Sequence, residues 1–250
     1  MLDILESIDD FCRNNNINYY LAYGSLLGAI RHDGFIPWDD DVDILMPRPD
    51  YDFFRKNFQH SYYKIHSNDG DSFLLFDKIY DSRTVCDEGG PIRWGIFIDI
   101  FPLDGLSSDI KDARLYISKM YRWFVIYNWI SICKELKVSS SKSFGRNLAL
   151  LLSRIIIPFI PIKYLRKRLL LKSHKYKYED SKYVGFVFSE FKEPYVKDDF
   201  GVPRRHCFED RTFSIPINPH RILQQTYGDY MTFPPENERV YKHNIKAYWL

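Results

Sequence analysis

Apolar positions in the first sixteen residues recur at helical spacing, with Leu2, Leu5, Ile8 and Phe11 on one face and Asn14-Asn15-Asn16 ending the run. Tyr19 to Tyr23 then reads as a short aromatic strand closed by a Gly24-Ser25 turn, followed by a short helix over Leu26 to Arg31 and a turn at Asp33-Gly34. Val42 to Met46 predicts a second strand, stopped by Pro47 and Pro49, with Asp50 capping a helix that runs to about His60. The β-branched and aromatic runs Tyr62–Ile65, Phe73–Tyr80 and Ile96–Phe101 predict further strands.

Beyond Asp104 the period changes. Ile110 to Lys134 carries a long helical pattern, Val138 to Ser143 is a Ser-rich linker, and a second helical stretch reaches about His174. In that stretch Leu148, Leu151, Leu152, Ile155, Ile156 and Phe159 form an apolar face, and Pro158 and Pro161 predict a break. Short strands return at Tyr183–Phe188 and Thr212–Ile215, with a helix over Pro219–Tyr227 and coil at Pro234-Pro235. The pattern predicts an α+β architecture. Residues 1–108 form a mixed catalytic half, 109–178 a helical hairpin, and 179–250 a segment that packs back on the first half.

Charge divides along the same lines. The 250 residues carry 35 Lys+Arg and 33 Asp+Glu, a formal net charge of +2. That small total hides 20 acidic and 9 basic residues in positions 1–110, against 11 Lys/Arg and no Asp/Glu from Leu136 to Tyr178. Basic residues beside an apolar helical face suit an anionic membrane surface, here over residues 144–172; a packed hairpin with a solvated basic side is the plainer alternative. No nucleic-acid motif accompanies the charge, so nucleic acid is not expected as a partner. No run approaches the roughly 20 apolar residues of a membrane span, and the start lacks a signal-peptide pattern. The four cysteines form no C-x-x-C pair and read as free thiols in a reducing cytosol. The expected place is the cytoplasm, peripheral on the inner face of the membrane.

The chemistry concentrates in Ile36-Pro-Trp-Asp-Asp-Asp-Val-Asp-Ile44. Four carboxylates within five residues repel one another unless a cation neutralises them. On a strand, Asp39, Asp41 and Asp43 would share a face, and two hard carboxylates there suit Mg²⁺ or Mn²⁺ together with phosphate oxygens. A solvated acidic turn and a Ca²⁺ loop are the alternatives; the EF-hand spacing fails for want of its central Gly and closing Glu. Gly24 and Ser25 would offer backbone N–H groups to a phosphate, and Arg31 a fork-like contact to a second phosphate oxygen. Asp99, a lone charge in the apolar run Ile96–Phe101, is the candidate third metal ligand, or else the base for an attacking hydroxyl; Asp104 reads as a turn or cap. Lys78 would meet a phosphate if it points inward. His32, His206 and His243 read as loop, structural or surface groups.

Three segments resemble the LicD family of bacterial phosphocholine transferases, relatives of the fukutin-type phospho-sugar transferases: Tyr23-Gly-Ser-Leu-Leu-Gly-Ala-Ile-Arg-His32, Gly34-Phe-Ile-Pro-Trp-Asp-Asp-Asp-Val-Asp-Ile44 and Phe97-Ile-Asp-Ile-Phe-Pro-Leu-Asp104. The likeness covers residues 2–105 and extends weakly to Tyr227-Gly-Asp-Tyr-Met231 with Pro234-Pro235. It implies a nucleotidyltransferase-like mixed sheet and transfer of a phospho-alcohol from a CDP-activated donor to a hydroxyl of a cell-surface glycan, lipid-linked in some settings. Position by position it implies Gly24 and Ser25 as the Gly-Ser element, Asp41 and Asp43 as the metal pair, and Asp99 as the third acid. Fifteen residues lie between Ser25 and Asp41, more than in the general nucleotidyltransferase pattern, so phosphate contacts carry over less well than the metal pair. A choline head group would need an aromatic face, for which Trp38 and Trp94 are candidates, although most aromatics in so aromatic a chain are core. Two rival functions stay open: a nucleotidyltransferase moving NMP from an NTP, and an inactive glycan- or membrane-binding scaffold.

Overall fold

The computed structural model describes residues 1–66, 74–87, 94–132, 160–189, 193–241 and 246–250, with the single residues 145 and 151. Its centre is a mixed sheet. Strands β1 (Tyr20–Leu21), β2 (Asp43–Pro47), β3 (Tyr63–His66), β4 (Asp77–Asp81) and β6 (Phe97–Gly105) lie in the order β1-β2-β6-β4-β3. β2 and β6 are parallel and every other pair is antiparallel. β5 (Thr84–Asp87) pairs separately with β11 (Lys246–Trp249).

Strand alternation sends Ile44, Ile79, Ile98 and Ile100 to one face, where each is fully buried. Helices α1 (Leu2–Asn15) and α3 (Arg48–Asn57) cover this side: Ile4, Leu5 and Ile8 of α1 and Tyr51 and Phe54 of α3 are buried, and Arg55 of α3 reaches Asp77 of β4 at 3.1 Å. Each such isoleucine contributes about 2 kcal/mol by leaving water. The opposite face carries Asp43, Lys78, Asp99 and Phe101, and over it lie α2 (Tyr23–His32) and the C-terminal segment.

That segment meets the sheet and α2. β7 (Tyr183–Gly185) pairs with the end of β6, β8 (Tyr195–Val196) pairs with β7, and α6 (Pro219–Tyr227) packs on α2. A hairpin, β9 (Arg204–Phe208) with β10 (Arg211–Ile215), clamps α1: Arg205 pairs with the buried Asp9, which also accepts the Tyr19 hydroxyl at 2.7 Å. α4 (Ile110–Ile132) packs against α5 (Ile162–Ser173). Of the helical stretch expected from residue 144 to about His174, α5 is the described helix; residues 144, 146–150 and 152–159, with the linker, lie outside the described residues.

Several local expectations are corrected. α2 begins at Tyr23, so Gly24 and Ser25 form its first turn and no separate turn precedes it. Asp50 does not cap α3; it sits inside the first turn and accepts the Asn18 N–H at 3.0 Å. β6 continues through Pro102 to Gly105 because the ladder from β4 ends at Ile100, so Pro102 faces a strand only on the β2 side. Asp104 is therefore not a turn or cap. It is buried in β6 and holds Arg48 at 2.7 Å.

Candidate active site

Register builds the site. Asp43 of β2 stands opposite Asp99 of β6, and Asp99 stands opposite Lys78 of β4, so three ionisable side chains form one cross-strand row on one face. Lys78 Nζ donates to Asp99 Oδ1 at 2.6 Å and lies 3.7 Å from the centre of the Phe97 ring. Lys78 is thus an inward group rather than a surface lysine.

Only Asp43 of the acidic run belongs to a strand; residues 39–42 precede the ladder, with Val42 C=O accepting the Asp99 N–H at 2.9 Å. The strand alternation expected to align Asp39 and Asp41 with Asp43 therefore does not apply to them. Burial drives the Asp43 carboxyl well above the usual carboxylate range, helped by Asp41, Asp99 and Asp39 and opposed by Lys78. Asp40 is absent from that set. Four carboxylates around one lysine leave an excess of negative charge in a half-buried place.

The start of α2 is pinned to the same point. Asp43 N–H donates to Ser25 Oγ at 2.8 Å, and Ala22 N–H donates to Asp43 C=O at 2.9 Å. A Cβ on Gly24 would come within 2.4 Å of Asp39 Oδ2, so the glycine is there to let that carboxylate lie against the first turn. A carboxylate at a helix N-terminus is favourably placed. Tyr23 takes φ 44°, which costs an aromatic residue of order 1 kcal/mol, and its hydroxyl is anchored on the buried Glu193 at 2.8 Å. Burial lifts Glu193 to about 8.

Two residues passed over in the sequence complete the neighbourhood. Tyr227, at the end of α6, has its hydroxyl pKa raised by burial first and then by Asp43, Asp39 and Asp41, against an opposing effect of Arg31. Glu193 is the other. Its signal was absent because it stands alone before Pro194 in a stretch without periodicity, whereas Tyr227 belonged to the weak tail motif. Arg31 closes the far end of α2, donating to Tyr230 C=O at 2.7 Å. Trp38 is half-buried beside His32 and Phe233. Trp94 is buried against His66 and Tyr80 and belongs to the packing.

The donors present are hard oxygens. Among the described residues no three His, Cys, Asp or Glu side chains converge at metal-ligating distance. Asp41 and Asp43 as a two-carboxylate set still fit Mg²⁺, which keeps waters and substrate oxygens in its remaining positions.

A mixed sheet that sets carboxylates on two adjacent parallel strands beside a short Gly-Ser helix is consistent with a nucleotidyltransferase-like domain. Comparison with known proteins agrees: residues 16–125 match the LicD/FKTN/FKRP nucleotidyltransferase domain. Over its whole length the chain is 31% identical to lipopolysaccharide cholinephosphotransferase LicD of Haemophilus influenzae, covering 95% of that protein. A shorter match, 35% over 71 residues, 27% of this chain and 23% of the relative, links it to an uncharacterised protein of Rickettsia typhi. The chain belongs to the LicD/FKTN/FKRP family.

Proposed function

We propose that the protein transfers a phospho-alcohol, phosphocholine first among the candidates, from a CDP-activated donor to a hydroxyl of a lipopolysaccharide or related cell-surface glycan. The observation that carries this reading is the Asp43–Asp99–Lys78 row with Asp41 and Asp39 around it, in a chain similar along its full length to a cholinephosphotransferase. Asp41 and Asp43 would hold Mg²⁺ or Mn²⁺, which supplies charge neutralisation for the donor phosphates. Asp99, kept in place by Lys78, takes the proton of the acceptor hydroxyl. The acceptor oxygen bonds to the phosphorus that bears the alcohol, the bridging P–O bond breaks, and CMP leaves with the electron pair. Lys78 and Arg31 offset the negative charge on the phosphates, with Gly24 and Ser25 lining the approach and Trp38 offering an aromatic face to the alcohol.

Purified protein with Mg²⁺, CDP-choline and a glycan acceptor should release CMP, and Asp41→Ala or Asp43→Ala should abolish release. Turnover of NTPs in place of CDP-choline would instead favour transfer of NMP. Normal function of both variants in cells would support a non-catalytic scaffold.

A second reading concerns place. Among the described residues no helix is long and apolar enough to cross a membrane. On α4 and α5, however, Leu115, Trp123, Val125, Ile126, Tyr164 and Leu171 are exposed among cations. An anionic membrane surface at this face would bring the enzyme to a lipid-linked acceptor.

A further inference from the structure

The C-terminal tail brings a second arginine to the end of α2. Arg239 lies with its guanidinium 5.4 Å from the centre of the Phe233 ring and 5.5 Å from that of Trp38. Arg31 lies 4.9 Å from the same Phe233 ring. His32 meets Trp38 and Phe233 edge-on, at 5.8 and 5.3 Å. Two guanidiniums therefore meet one aromatic ring at the end of a helix.

Their charge is not answered by a carboxylate among the described residues. Among the described residues neither arginine forms an ion pair with a carboxylate; each has only a backbone acceptor, Tyr230 C=O for Arg31 and Pro234 C=O, at 2.8 Å, for Arg239. Arg31 Nε and both ring nitrogens of His32 are buried with no hydrogen-bond partner. Desolvation lowers the pKa of the Arg31 cation and the neighbouring Arg239 adds to this, with Tyr227 acting against them. Two adjacent, partly desolvated cations with unused donors make an anion site. Trp38 directly precedes Asp39, so this site adjoins the acidic run.

We propose that Arg239 and Phe233 of the tail complete, with Arg31, a seat for the phosphate of a nucleoside monophosphate, the half of the donor that leaves. The choice of a cytidine nucleotide rests on the CDP-donor reading above; the anion seat itself rests on the paired arginines. Trp38 and Phe233 frame the seat, and His32, neutral because burial and Arg31 both lower its pKa, has two nitrogens left for the same ligand. The tail is then part of the binding site as well as a cover for α2.

Calorimetric titration with CMP and with cytidine, in EDTA, separates this from a tail fastened only by stacking. Wild type should bind CMP at least tenfold more tightly than cytidine. Arg239→Gln should lose most of that preference with its cytidine affinity unchanged, and Arg239→Lys should retain part of it. An Asp41→Ala, Asp43→Ala double variant should keep the preference. Equal CMP affinity in wild type and Arg239→Gln would overturn the seat, as would parallel loss of CMP and cytidine binding. No preference for CMP in wild type, or its loss in the aspartate double variant, would overturn it too. If wild type turns over CDP-choline but shows no phosphate preference, the seat falls and the transferase reading stands. If it binds CMP as expected but turns over no CDP-alcohol, the reverse holds.

Discussion

In the central sheet, Asp43, Asp99 and Lys78 form one row by strand register, and Asp39 and Asp41 of the segment leading into it act on the same Asp43 carboxyl. Across residues 113–132 of α4 and 162–173 of α5, by contrast, seven exposed Lys and Arg side chains spread along two helices with no Asp or Glu among them. The first arrangement concentrates charge where water is scarce, so each group changes its neighbours' ionisation. The second disperses it in solvent, where single charges matter little and only a large anionic surface would feel their sum. A sum of +2 over the chain conceals this division, and the two parts respond to different perturbations.

The sharpest way to break the contrast is at the row itself. Asp43→Ala should lower transfer at least about a thousandfold, equivalent to about 4 kcal/mol of transition-state stabilisation. Asp43→Asn should also raise the melting temperature of metal-free protein, because it deletes a carboxylate whose ionisation burial and like charges oppose. Added Mg²⁺ should stabilise wild type and not this variant. A melting temperature that falls on Asp43→Asn substitution in EDTA would show that the row is not electrostatically strained.

Next in size is the buried pair beneath the site. Arg48→Met leaves the Asp104 carboxylate alone in the core, and urea unfolding should show a loss of about 3 kcal/mol. The double variant Arg48→Met, Asp104→Leu should recover much of it, since both charges are gone. Failure of the second substitution to rescue would mean that Arg48 matters through packing on Tyr51, whose ring centre lies 5.0 Å away.

Glu193 gives a pH test of the buried side. Its native pKa of about 8 lies above the ordinary value of 4.5, so between those values the folded state holds a proton that the unfolded chain has released. Stability from this group is therefore fully present below about pH 4.5 and declines as pH rises to about 8, at up to about 1.4 kcal/mol per unit. Glu193→Gln should flatten that slope in urea midpoints measured from pH 5 to 8.5. An unchanged slope would assign it to other groups.

Much of this was legible in the sequence, for reasons that also explain what was missed. The acid run and Asp99 stood out because charges are rare among Ile and Val, and α1, β2 and α6 followed from periodicity. Their partnership did not: Asp43, Asp99 and Lys78 meet through register between strands separated by up to 56 residues, which no local pattern encodes. β9 reads Arg-Arg-His-Cys-Phe and has no alternation to recognise; it is a strand because β10 pairs with it and Arg205 reaches Asp9. Asp104 was expected to follow the strand as a turn or cap, but β6 runs on to Gly105, where Pro102 is tolerated because it has no β4 partner. Arg31 and Arg239 are 208 positions apart, so the shared Phe233 ring is a property of the fold alone.

The smallest expected effect tests the dispersed half. Arg168 lies on exposed α5 with its guanidinium 5.7 Å from the Tyr164 ring centre, and both side chains face away from the core. If α4 and α5 rest on an anionic bilayer, each cation contributes about 1 kcal/mol near the surface. Arg168→Gln should then weaken co-sedimentation with phosphatidylglycerol-containing vesicles about fivefold, with no change on neutral phosphatidylcholine and none in CMP release from soluble acceptor. Raising salt should weaken wild type in the same direction, because dispersed charge is screened within a Debye length. A neutral outcome for both salt and substitution would leave α4 and α5 as a packed helical pair with solvated cations, and would place the acceptor's delivery elsewhere on the molecule.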